Sequence, residues 1–79
     1  MTYLWQLQRG QKDYRFQTDD KEIYQKVQRR NGFKLTCYAI NRPFWIFSCE
    51  FTRPDIAKKT FQSILGQKPK IDSEGILYA

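Results

Sequence analysis

The stretch FKLTCYAINRPFWIFSCEF, residues 33–51, constrains the fold more than any other part of the chain. Two runs of aromatic and aliphatic residues flank Asn41-Arg42-Pro43, the composition of an antiparallel hairpin. Successive side chains on a strand point to opposite faces. Here the apolar residues do not keep to one parity: Leu35, Cys37, Trp45 and Phe47 are out of phase with Tyr38, Ile40, Phe44 and Ile46. Near its turn the hairpin is apolar on both sides. A chain that contains it must build a sheet with one packed face and must account for the other.

Two registers compete. A two-residue loop at Asn41–Arg42 pairs Ile40 with Pro43, sets Leu35 opposite Ser48 and mixes polar with apolar groups on both faces. A three-residue loop, Asn41-Arg42-Pro43, pairs Ile40 with Phe44. It gathers Phe33/Phe51, Leu35/Cys49, Cys37/Phe47 and Ala39/Trp45 on one apolar face. Register follows the buried pattern, so the second is expected. Tyr38, Ile40, Phe44 and Ile46 then stand on the outer face, each forgoing roughly 1.5–3 kcal/mol relative to burial. The C-terminal Ile76-Leu77-Tyr78, a second copy of the chain, or a partner are the candidates to cover them.

At 79 residues the chain makes one domain. TYLWQLQ and DYRFQT, joined by RGQK with Gly10 in the turn, read as a first hairpin whose outward residues are Gln6, Gln8, Arg15 and Gln17. TDDKEIYQKVQRRNG follows as a helix with Thr18 or Asp19 as cap, an inward stripe of Ile23, Tyr24 and Val27, and Gly32 as its stop. After the second hairpin, TRPDIAKKTFQSILG carries a cap at Thr52, Pro54 in the first turn and Gly66 at the end. QKPK reads as a basic connector and GILYA as a last short strand. The predicted class is α+β, in the order β-β-α-β-β-α-β, with an antiparallel sheet of four or five strands and two helices on one face. Residues 3–32 and 33–66 share a ββα architecture, a pseudo-repeat, and residues 67–79 supply the connector and final strand.

In layout, TDDKEIYQKVQRRNGF and TRPDIAKKTFQSILG behind an open sheet resemble the ββα units that LAGLIDADG homing endonucleases lay against DNA. The resemblance spans residues 3–66 and implies a DNA-facing sheet. The family's acidic helix motif is missing, so nuclease activity is not implied.

Lysine and arginine number 14 against 8 acids, a net charge of +6. That balance suits a polyanion, nucleic acid first and an acidic protein surface second. On the expected outer face Gln6, Gln8, Arg15, Gln17, Lys34 and Thr36 would lie across duplex DNA, which is favoured over RNA. Arg9, Lys12 and Arg42 at the turns would meet phosphates. Tyr38 and Phe44 would stack bases of a single strand, and Arg29, Arg30, Lys58 and Lys59 would add phosphate contacts if the helices flank a groove. The predicted function is therefore a small cytoplasmic nucleic-acid-binding module, of a size that suits an accessory factor of a phage or mobile element. The alternative is a protein-interaction module, an inhibitor or assembly subunit, homodimeric in its simplest form, anchored by Tyr38, Ile40, Phe44 and Ile46.

No enzyme is expected. The chain has no histidine, and its four glycines form no phosphate-cradling loop. Two cysteines cannot close a four-ligand zinc site, so neither metal nor cofactor is expected. Asp13, Asp19 and Lys21 come nearest to a nuclease centre, but Asp19 and Lys21 fall in a helix cap. Cys37 and Cys49 are expected as diagonal neighbours about 7–8 Å apart, beyond disulfide reach, and as free buried thiols of a reducing cytoplasm. No apolar run reaches the roughly 18 residues of a membrane span, and neither a membrane partner nor a signal peptide is expected.

Overall fold

The computed structural model describes residues 1–79. Its strands are β1 (Thr2–Gln6), β2 (Asp13–Thr18), β3 (Lys34–Ala39), β4 (Phe44–Glu50), β5 (Lys70–Ile71) and β6 (Leu77–Tyr78), with helices α1 (Lys21–Gln28) and α2 (Pro54–Leu65). All six strands join one antiparallel sheet in the order β3-β4-β2-β1-β6-β5. The α+β class and antiparallel sheet match the sequence. The sixth strand does not: β5 lies where a connector was expected. It forms a hairpin with β6, closed by Asp72, whose Oδ1 accepts from the Glu74 and Ile76 amides at 2.9 Å each, and by Gly75 at φ 87°.

Both helices cover the same face. Phe16 and Phe47, opposed across β2 and β4, are completely or almost completely buried. Phe61 of α2 meets Phe16 edge-on at 5.9 Å, and Tyr24 of α1 lies over Phe47 at 6.0 Å. Tyr24 also stacks on Trp45, with ring centroids 4.5 Å apart and planes 14° from parallel. Leu4, Tyr14, Val27, Cys49, Ala57, Ile64 and Leu77 complete the buried cluster. A core built on phenylalanine is what so short a chain needs, since each large ring removes 150–250 Å² from water.

The helix starts differ from those expected. Asp20, not Thr18 or Asp19, caps α1, its Oδ1 accepting from the Glu22 amide at 2.8 Å. Thr18 is drawn inward instead, its hydroxyl 2.9 Å from that of Thr2 and accepting from the Asp20 amide. Both threonines are buried, and the shared hydroxyl bond makes this tolerable. At α2 the N-cap position is Arg53, with no side-chain cap bond, so Thr52 does not serve. Arg53 pairs with exposed Asp55, and Pro54 opens the helix as expected. Gly66 ends α2 in the left-handed region (φ 71°), whereas α1 stops at Arg29 and Gly32 serves the turn before β3.

The second hairpin departs from the expected register. Its turn has four residues, Ile40–Pro43, and Ala39 pairs with Phe44, Tyr38 with Trp45 and Cys37 with Ile46. A bulge at Thr36 then shifts the pairing, bringing Leu35 opposite Phe47 and Lys34 opposite Ser48. The extra residue resolves the conflict of parity that the sequence posed: Leu35 regains the helix side although Cys37 has lost it. Trp45 faces inward and Phe44 outward, as expected. Tyr38 does not face outward, because it shares the face of its partner Trp45. Cys37 lies outward and exposed, and Cys49 lies inward and buried. The two cysteines are therefore free thiols on opposite faces.

Candidate nucleic-acid interface

The face of the sheet away from the helices follows from the pairings. Arg15 and Gln17 of β2 point outward because Tyr14, Phe16 and Thr18 are buried. They stand opposite Ser48 and Ile46 of β4 on one side and Trp5 and Tyr3 of β1 on the other. Tyr3 in turn opposes Tyr78 of β6, and Tyr78 opposes Lys70 of β5. One row therefore runs Cys37, Ile46, Gln17, Tyr3, Tyr78, Lys70 across all six strands, and a second runs Lys34, Ser48, Arg15, Trp5 beside it. Asp13 and Glu50, opposed across β2 and β4, close one flank.

No element of the chain covers this face. Tyr3, Trp5, Phe44, Ile46 and Tyr78 are half-buried, and none packs against the core cluster. The C-terminal segment does not shield the second hairpin. It joins β1 on the far side of the sheet and places Tyr78 on the platform.

Of the residues expected on this surface, Arg15, Gln17, Lys34, Phe44 and Ile46 are there. Gln6 is not: it opposes Tyr14, on the helix side, and its amide donates to the Gln11 carbonyl. Gln8, Arg9 and Lys12 occupy the loop between β1 and β2, and Arg42 and Ile40 the turn of the second hairpin. Thr36 sits in the bulge, its hydroxyl donating to the Ile46 carbonyl at 3.0 Å. Arg29 and Arg30 follow α1, and Lys58 and Lys59 lie on α2, away from the open face. Tyr38 is 61% exposed and Ile40 80% exposed, so the expected apolar patch is divided between the outer face, the turn and the helix side.

Tyr3, Trp5, Tyr78 and Lys70 were missed. Outward Gln6 and Gln8 imply an inward Tyr3, Trp5 and Leu7 by alternation, but pairing with β2 buries Thr2 and Leu4 in their place, and Leu7 is exposed in the loop. Tyr and Trp tolerate a half-wet position that Leu does not, because each has a polar edge. That tolerance was the available signal.

Four ionisable groups are shifted: Arg53 is raised and Asp55 lowered by their mutual hydrogen bond at the start of α2, and Cys49 and Tyr14 are raised beneath the platform. Burial pushes the Cys49 thiol up to about 12, against a weaker opposing pull from Arg15. Burial also raises Tyr14, with Cys49 adding to it. Asp13 lies on the outer flank, Asp19 binds the amino group of Met1, and Lys21 opens α1, so these three form no common centre. No three acidic or cysteine side chains gather as a metal-holding group, and no helix is long and apolar enough to cross a membrane.

These features define a small α+β domain with one helix-covered and one bare sheet face. Comparison with protein-family models, curated proteins and solved structures gives no match.

Proposed function

We propose that the protein is a small basic nucleic-acid-binding module that uses the bare face of its sheet. The observation that carries this reading is a platform with no cover, with cations at both edges and the centre: Lys34 on β3, Arg15 on β2 and Lys70 on β5. Cations fix the backbone of a polyanion, and Gln17 beside them offers the paired donor and acceptor that read base edges. Residues 3–32 and 33–66 act in this reading as two ββα halves of one platform, related about the central β2–β4 pair. Two free thiols suit a reducing cytoplasm. Fluorescence anisotropy at low salt with single- and double-stranded oligonucleotides tests the proposal. Saturable binding to at least one is expected, and none to either ends it.

A second reading draws on the tip of the β3–β4 hairpin, where Ile40 and Tyr38 are the most exposed large apolar side chains. These suit a protein partner or a second copy of the chain. Light scattering separates the two readings: a dimer dispersed by Ile40→Asp, with the fold intact, favours the hairpin, and a monomer disfavours self-association.

A further inference from the structure

The bare face is not uniform. Tyr3 and Tyr78 are opposed across β1 and β6, and Trp5 follows on β1 opposite Arg15. Lys70 flanks Tyr78 at one edge. All three rings lie outside the core cluster.

We infer that the occupant of this face is single-stranded DNA, its unpaired bases stacked on Tyr3, Trp5 and Tyr78 and its phosphates drawn to Lys34, Arg15 and Lys70. The inference rests on the nucleic-acid reading of the same surface and narrows it. A duplex buries the faces of its bases and offers rings nothing to stack on. Residues two apart on a strand stand about 6.8 Å apart, twice the roughly 3.4 Å between stacked bases. Tyr3 and Trp5 therefore suit bases already drawn apart, which only a flexible single strand supplies. Asp13 and Glu50 repel phosphate from the flank beyond Arg15 and confine the strand to the two rows that carry Arg15 with Trp5 and Gln17 with Tyr3 and Tyr78. The Thr36 and Ser48 hydroxyls of the β3–β4 pair donate to the Ile46 and Lys34 carbonyls and so have no proton left to give a ribose 2′-hydroxyl, which favours DNA.

The two tryptophans provide the test. Trp5 lies on the bare face, and Trp45 is stacked on Tyr24 beneath the sheet. In a Trp45→Phe variant a short oligodeoxythymidylate is expected to quench the remaining emission, and in Trp5→Phe to leave it nearly unchanged. Tyr3→Ala and Tyr78→Ala should each weaken binding roughly 5- to 150-fold, the worth of one base–aromatic stack. Both rings lie outside the core, so these variants decide the matter even if Trp45→Phe loses its fold by circular dichroism. Binding with neither quenching nor loss in the alanine variants overturns the stacking assignment and leaves the broader function standing. Absence of binding to any nucleic acid removes both. Tighter binding of the matching duplex, or of oligouridylate, overturns the choice of single-stranded DNA.

Discussion

The two cysteines show how much depends on which way a strand turns one side chain. Cys49 is 5% exposed, with its thiol directed at the Tyr14 carbonyl 3.8 Å away, and Cys37 is open to solvent. A thiol reagent at neutral pH should therefore modify one cysteine in the native protein and two in denaturant, by mass spectrometry. The buried thiol also makes the fold sensitive to alkali. Below its ordinary value of 9.0 the thiol is protonated in both folded and unfolded chains. Above it the unfolded chain loses the proton while the folded one keeps it until about 12. Stability should fall across that window by at most about 1.4 kcal/mol per pH unit. Urea titrations of Cys49→Ala should show a shallower fall, with Tyr14, also raised, supplying the remainder. A variant as alkali-sensitive as the parent would show that the thiol is not the cause. Inward Trp45 and outward Phe44 were legible in the sequence, because β4 alternates without interruption. Tyr38 and Cys37 were not, because a bulge one residue long inverts every side chain beyond it.

At the scale of elements, β2 and α2 were legible nearly to the residue: DYRFQT alternates cleanly, and α2 has Pro54 and Gly66 as punctuation. β5 was missed because two residues carry no periodicity. Its signal was the turn chemistry of Asp72-Ser73-Glu74-Gly75, where an acid folds back on following amides and glycine takes positive φ. The cap of α1 departs from the sequence pattern for a related reason: Thr18 fits a cap by type, but its place opposite Thr2 commits its hydroxyl to the interior. The consequence is measurable. Asp20→Ala should cost about 0.5–2 kcal/mol of stability through the lost bond to the Glu22 amide. Thr52→Ala, outside any cap bond, should stay within about 0.5 kcal/mol. Equal losses in urea melts would contradict this assignment. The same bulge that confounded the register also protects the fold, since β3 is an edge strand and Thr36 with Lys34 discourages further strands from joining it.

For the molecule as a whole, the open question is whether its net charge of +6 acts at the platform or only keeps it in solution. The two roles differ in their dependence on salt. Charge that only maintains solubility leaves no trace in a binding constant, whereas each phosphate neutralised on a single strand contributes about −0.7 to the slope of log K against log salt. Lys34 and Lys70 lie on the two edge strands, five strand spacings of about 4.8 Å apart, so a strand crossing the face spans roughly 24 Å between them. With Arg15 between, three phosphate contacts give a slope of about −2. Lys34→Gln and Lys70→Gln should each flatten it by about 0.7, and Lys59→Gln, on the helix side, should leave it alone. Asp13→Asn with Glu50→Gln should act the other way and tighten binding, because two like charges on the flank no longer repel the backbone. Anisotropy titrations over a salt series measure all of these together. Should Lys59→Gln flatten the slope as much as Lys34→Gln, the polyanion would lie along the helices, and the bare face would need another occupant.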